Sequence, residues 1–214
     1  MAGRIAIIAG ATGLVGRELL RGLLADPKVE HVHCVGRRAP TQVSPKLTSH
    51  VVDFAALPPL PAADELYLAL GTTIKVAGSQ AAFRAVDHDA NLAVAKAALA
   101  SGARRAGLVS AMGADARSRI FYSRVKGELE EALTALSFTG LVIARPSLLV
   151  GARAELGQPV RRGEEWGAAL SRIIGVLIPP NYKPIDAADV AHALLSTVPS
   201  AAGTTVLPSG AMRR

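Results

Sequence analysis

Cysteine is nearly absent. Cys34 is the only one among 214 residues, so the chain can form no internal disulfide, and no cysteine/histidine spacing suggests zinc. Cys34 sits in an apolar run, which predicts a buried, unreactive thiol. Aromatic residues are scarce, at 4%. The basic pairs Arg37-Arg38, Arg104-Arg105, Arg161-Arg162 and Arg213-Arg214 are scattered and lack the interleaved stacking residues of a nucleic-acid surface. The net charge of +7 is better read as a field that attracts anionic cofactors and substrates. No apolar stretch approaches the length of a membrane span, and no leader-like pattern precedes the first strand signal. These absences predict a cytoplasmic domain with no nucleic-acid or membrane partner. What is present suits a globular core: 50% of residues are hydrophobic and 19% charged, in a chain long enough for one domain over 1–214.

The chain is organised around its first turn. Ile5 to Ala9 has the length and β-branched content of a strand, and Gly10, Gly13 and Gly16 follow at three-residue spacing. Leu19, Leu20, Leu23 and Leu24 then lie on one face of a helix. Strand, glycine turn and helix form the context of a dinucleotide fingerprint, although the spacing is GxxGxxG rather than GxGxxG. Gly10 permits the tight turn, Gly13 the approach of a pyrophosphate, and Gly16 close packing of helix on strand. Thr12, Leu14 and Val15 complete the phosphate-facing segment at the helix N-terminus.

Later segments sharpen the ligand. A second strand, His31 to Val35, ends in Gly36-Arg37-Arg38. In a dinucleotide fold this strand end adjoins the adenosine ribose, where an acid would bind the 2′-hydroxyl of NAD and arginine accommodates the 2′-phosphate of NADP. Two arginines and no acid favour NADP(H). Val51 to Phe54 reads as a third strand that brings Asp53 and Phe54 toward the adenine, Asp53 being equally suited to start a turn. Glu65 to Leu70 reads as the fourth, followed by Gly71-Thr72-Thr73, small enough to admit ribose and phosphates. Ser79 is a plausible N-cap for a helix over Ala81 to Ala100, with Asp87, His88, Asp89 and Asn91 read as its hydrophilic face. Ala106 to Val109 forms a fifth strand that delivers Ser110. Twelve residues later, Tyr122 and Lys126 are four apart and share one helical face. Converging beside a nicotinamide, Tyr122 would act as general acid/base. Lys126 would lower the tyrosine's pKa and hold the ribose, and Ser110 would hydrogen-bond the reacting oxygen. Thr139 to Arg145 is the sixth strand, and Pro146 at its end is placed to meet the carboxamide. The alternation predicts an α/β, Rossmann-type doubly wound parallel sheet with helices on both faces. A small C-terminal substrate lobe is expected over 147–185, with a helix from Glu164 to Ile174 and a loop from Gly175 to Pro184. Asp186 should cap a helix from Ala187 to about Thr197, and Thr204 to Leu207 a last strand.

The glycine turn, the Val35-Gly36-Arg37-Arg38 and Leu70-Gly71-Thr72-Thr73 strand ends, Val86-Asp87-His88-Asp89, Gly113-Ala114-Asp115 and Tyr122 to Glu128 together resemble the short-chain dehydrogenase/reductase superfamily. The likeness is nearest to its compact atypical branch, which includes the Tat-interacting tumour-suppressor protein and bacterial epimerase-like NAD(P)-binding proteins, and it extends to about Ser147. It implies a Rossmann fold, NADPH binding, catalytic roles for Ser110, Tyr122 and Lys126, and a monomer or homodimer. Two departures stand out. Ala111 and Met112 follow Ser110 where relatives carry further hydroxyl residues, and the segment after Pro146 is short for a sugar-nucleotide epimerase. The expected activity is NADP(H)-dependent oxidoreduction of an unidentified small carbonyl or alcohol. The alternatives are an NADPH-binding regulator without turnover and an epimerase- or dehydratase-like enzyme that retains its cofactor.

Overall fold

Arg4–Ala9 forms β1, with Ala6 and Ile8 entering one core layer and Ile7 and Ala9 the other. A strand covered on both faces reads as continuous rather than alternating hydrophobicity, which explains the unbroken run in the sequence. The computed structural model describes residues 3–150 and 179–214. From β1 the chain continues through α1 (Leu14–Ala25), β2 (Val29–Gly36), β3 (Leu47–Val51) and β4 (Glu65–Leu68). Two short helices follow, α2 (Ile74–Ala77) and α3 (Gln80–Arg84). A wide π-type turn over Ala85–Ala90 leads into α4 (Asn91–Ala100). Then come β5 (Arg105–Val109), α5 (Phe121–Thr134), β6 (Gly140–Arg145) and β7 (Leu149–Val150). After the undescribed residues lie β8 (Ile185–Asp186), α6 (Ala187–Thr197) and β9 (Gly203–Pro208).

Seven strands form a parallel sheet in the order β3-β2-β1-β4-β5-β6-β9, and β7 pairs with β8 separately. α1 and α6 pack on one face, α4 and α5 on the other. This is the doubly wound parallel sheet that the alternation of patterns predicts. The chain moves outward from β1 to β3 and then returns to place β4 on β1's other side. The strand direction of winding therefore reverses between β1 and β4, and ligands of such sheets bind at the carboxyl ends there.

Three expectations need correction or limits. The third strand is Leu47–Val51, not Val51 to Phe54, because Asp53 leaves the strand to accept the Ala55 N–H at 3.0 Å and start a 3-10 turn. The helix over 81–100 begins as expected, with the Ser79 hydroxyl accepting the Ala82 N–H at 3.1 Å, but one wide turn interrupts it. Most of the substrate lobe, including the helix at 164–174, lies outside the described residues.

The opposite ends of the strands carry a buried charge cluster. Arg4 reaches both carboxylate oxygens of Glu65 at 2.7 Å, and the Tyr67 hydroxyl donates to Glu65 at 3.0 Å. Burial, then the Glu65 charge, push the Tyr67 hydroxyl's pKa well above its usual value. Removing Glu65 leaves the buried Tyr67 hydroxyl without its partner, while Arg4 keeps its pair with Asp26, a cost of about 1–3 kcal/mol. Glu65→Ala should therefore lower the urea unfolding free energy by roughly that amount, whereas Glu18→Ala, which breaks a surface pair with Arg21, should change it by less than about 1 kcal/mol.

At the sheet edge, β2 and β3 place His33 Nδ1 3.1 Å from His50 Nε2, with the His31 ring 4.7 Å from that of His33. Burial, then the neighbouring His31 and His50, lower the His33 pKa from 6.5 to about 4. The unfolded chain thus binds the extra proton between those values, and stability falls as pH drops from 6.5 toward 4. His33→Gln should flatten that part of the stability curve; an unchanged slope would contradict the assignment.

Candidate cofactor and active site

The chain leaves β1 through Gly10 at φ +91°, a conformation that side chains rarely adopt. The Gly10 carbonyl accepts the Gly13 N–H at 3.0 Å. At Gly16 the helix lies so close to this turn that a Cβ would overlap the Gly10 carbonyl oxygen. Gly13 caps α1, yet no side chain bonds the first N–H groups and no acidic residue stands in the first turn. Uncapped N–H groups at the positive end of a helix make an anion site. Leu14 and Val15 supply backbone to it, while the Val15 side chain is buried in the core beneath.

This turn opens into a cavity of about 600 Å³ lined by Gly10, Thr12, Gly13, Arg37, Arg38, Asp53, Phe54, Leu70 and Gly71. Arg37 and Arg38 are exposed just beyond β2. Of the cavity's carboxylates, Asp53 is bonded to the Ala55 N–H and Asp89 to His88. Cys34 also borders the cavity, but burial pushes its thiol up to about 12, which leaves it unreactive. A larger groove of about 750 Å³ lies elsewhere, between α5 and β9 around Glu130 and Arg145. The smaller cavity, unlike the groove, joins the uncapped helix to the strand ends at the winding reversal.

α5 carries Tyr122, Lys126 and Glu130 at four-residue intervals, hence on one face. The Tyr122 ring leans on the fully buried Phe83, with centroids 5.6 Å apart, and Phe83 also meets Phe121 at 5.8 Å. Lys126 is buried and forms an ion pair with Asp87 at 2.8 Å, a Coulombic contact rather than an aligned hydrogen bond. The second Asp87 oxygen accepts the Thr72 N–H at 2.8 Å. Gly71 lies over this pair, where a Cβ would come within 4.0 Å of the Lys126 ammonium. Asp87 thus ties the loop after β4 to the lysine on α5.

This corrects the hydrophilic-face reading of Asp87 and Asn91, which are 1% and 0% exposed. The wide turn rotates both inward, and the Asn91 amide holds it by donating to the carbonyls of Leu70, Val86 and Asp87. Thr73 is engaged locally: its hydroxyl accepts the Val76 N–H at 3.2 Å as the cap of α2.

Ser110 is placed differently from the expectation. Its hydroxyl donates to Glu130, and Glu130 also accepts both Nε and Nη2 of Arg145, the latter at 2.5 Å. That hydrogen bond raises the Arg145 pKa, against the lowering effect of burial. Glu130 lies eight residues past Tyr122, about 12 Å of helix. The structure therefore brings Tyr122 and Lys126 together on α5 but directs Ser110 to Glu130. Buried Ala111 and exposed Met112 follow Ser110. The Met112 N–H donates to the Pro146 carbonyl at 2.8 Å, joining the exits of β5 and β6.

Comparison with known proteins places this geometry. Residues 4–120 match the family described as semialdehyde dehydrogenase, NAD binding domain. The protein fmp52, mitochondrial, of Emericella nidulans is 40% identical, over 69% of this chain and 68% of that protein. Among solved structures, a UDP-N-acetylglucosamine 4-epimerase from Methanobrevibacter ruminantium superposes with a TM-score of 0.70 at 13% identity, covering 97% of this chain and 77% of its own. An oxidoreductase of the short-chain dehydrogenase/reductase family from Burkholderia thailandensis gives 0.66 at 19% identity, over 99% and 93%. The fold is that of short-chain dehydrogenase and epimerase structures. The cytoplasmic expectation is overturned, since the fungal relatives are named mitochondrial. Low cysteine content and the lack of an apolar span bear on redox state and insertion, and they do not fix a compartment.

Proposed function

The chain belongs to the family described as semialdehyde dehydrogenase, NAD binding domain, and on that premise we propose that it is an NADP(H)-dependent oxidoreductase of the short-chain dehydrogenase type, acting on a small carbonyl or alcohol. Its Rossmann domain binds a nicotinamide dinucleotide. The observation that carries the reading is the ion-paired Lys126 one helical turn from Tyr122, beside Gly71 at the cavity's edge. Gly10 to Gly16 and the first turn of α1 would hold the pyrophosphate, and Arg37 and Arg38 the 2′-phosphate. Held there, the dinucleotide would supply the hydride for the carbonyl carbon. The Tyr122 hydroxyl gives its proton to the carbonyl oxygen, and solvent restores it. Asp87 holds the Lys126 side chain in its buried position, from which its N–H donors would reach the nicotinamide ribose.

The test is isotope transfer. Incubation with NADPH dideuterated at C4 and a panel of small aldehydes and ketones should yield deuterated alcohol by mass spectrometry. Retention of all label in the cofactor with every carbonyl would refute hydride transfer. One observation favours a second reading, an NADPH-binding regulator without turnover: the Ser110 hydroxyl is bonded to Glu130, and Ala111 and Met112 follow it. That reading expects NADPH binding with no transfer of label.

A further inference from the structure

The last strand of the sheet has one side without a partner. Among the described residues β9 ends the strand order and pairs with β6 alone, in unbroken register from Gly203 to Pro208. The Gly203 N–H donates to the Thr139 carbonyl at 2.8 Å, on the β6 side. Backbone groups of successive strand residues point to opposite sides, so Thr204 and Val206 turn their N–H and C=O groups to the free edge. Sheet edges are ordinarily blunted by charged side chains, bulges or prolines, and an edge without them pairs with another strand. β9 has no charged residue and no bulge, and its proline, Pro208, stands at the very end.

The same two residues line a groove. Thr204 and Val206 form the β9 wall of the cavity of about 750 Å³ whose other wall is α5, with Ile143 between them. Its charged lining is Asp115, Glu130, Glu131 and Arg145. Glu130 and Arg145 neutralise each other, whereas the exposed Asp115 and Glu131 form no ion pair among the described residues. Three carboxylates against one guanidinium leave the groove acidic in a chain of net charge +7. A second copy paired antiparallel along β9, in a continuous sheet, would set groove beside groove and carboxylates near carboxylates. An extended segment with lysine or arginine at every second position brings the opposite charge. Its basic side chains share one face, and their apolar stems suit Ile143 and Val206.

We propose that this edge and groove dock an extended basic segment of a partner protein by strand addition. Its backbone bonds to Thr204 and Val206, and its basic side chains enter the groove toward Asp115 and Glu131. The surface lies apart from the dinucleotide cavity and requires no hydride transfer. The probe is a fluorescein-labelled, end-blocked heptapeptide, Thr-Lys-Val-Lys-Val-Lys-Thr, titrated with the full chain by anisotropy at low salt. It should bind saturably. The same peptide with glutamate for lysine should not bind, nor should the lysine peptide N-methylated at every internal residue. Glu131→Lys should weaken binding roughly fivefold by replacing attraction with repulsion. Val206→Pro removes an N–H that faces the free edge, where proline is tolerated, and should weaken binding by a similar factor of roughly five. Neither variant should change the thermal shift produced by NADPH. If Val206→Pro fails to fold, Glu131→Lys and the methylated peptide carry the test. Equal affinity for the lysine and glutamate peptides, affinity indifferent to N-methylation, or no binding up to millimolar peptide would overturn the proposal. So would self-association of the chain that Val206→Pro abolishes without any binding of the lysine peptide, because the edge would then serve a second copy.

Discussion

Tyr122→Phe should lower kcat by about 10²–10⁴-fold while leaving the Kd for NADPH within about twofold, because general acid/base catalysis contributes on that scale. The substitution removes one oxygen and retains the ring, so the contact with Phe83 at 5.6 Å persists and α5 keeps its place. The lost group is the one proposed to move the proton. Lys126 remains ion-paired with Asp87 at 2.8 Å, and the glycine turn is untouched. Steady-state NADPH oxidation with whichever carbonyl the wild type reduces fastest measures the first quantity, and quenching or enhancement of NADPH fluorescence the second. A Phe variant that turns over at the wild-type rate removes Tyr122 from the reaction.

Gly16 and Gly13 should fail in different ways. Gly16→Val introduces atoms where even a Cβ would overlap the Gly10 carbonyl oxygen. The neighbour is backbone, so α1 must move off the turn, and overpacking of this kind costs about 1–3 kcal/mol or more. Both the melting temperature and NADPH binding should fall sharply. Gly13→Ala differs, since its Cβ would lie 3.4 Å from the Gly10 oxygen, close to ordinary contact. The fold should survive with a small change in melting temperature. On the proposed placement of the pyrophosphate the added methyl would stand in its approach to the backbone, and NADPH affinity should fall at least tenfold, about 1.4 kcal/mol. Wild-type NADPH affinity in Gly13→Ala would move the phosphates away from this turn.

Much of the architecture was legible because its signals are local. The β1 run, the glycine spacing, the Ser79 and Asp186 caps and the Tyr122–Lys126 interval each depend on a few neighbouring residues. The sheet follows from repeated strand and helix patterns. What was missed depends on distant contacts or on a change of period. Asp87 and Asn91 fall on an exposed face only if the helix keeps 3.6 residues per turn, and the wide turn at Ala85–Ala90 breaks that count. Asp87 finds Lys126 and Ser110 finds Glu130 on a helix brought in by the sheet order, which no local pattern encodes. At β3, Leu47-Thr48-Ser49-His50-Val51 is a largely polar edge strand with only Leu47 and His50 partly buried, so its apolar signal is weaker than that of the Val51-Val52 pair beyond it. The Arg145–Glu130 pair had no signal in the sequence beyond its charges.

The central claim is that the cavity between Gly10 and Arg38 takes a 2′-phosphorylated dinucleotide. Thermal shifts with NADPH and NADH, on the wild type and on Arg37→Ala/Arg38→Ala, test it most directly. Ligand at a hundredfold over its Kd stabilises the native state by about 2.7 kcal/mol. The wild type should be stabilised more by NADPH than by NADH at equal concentration, and the double variant should lose that difference while keeping its response to NADH. Equal stabilisation of the wild type by the two cofactors would contradict the account.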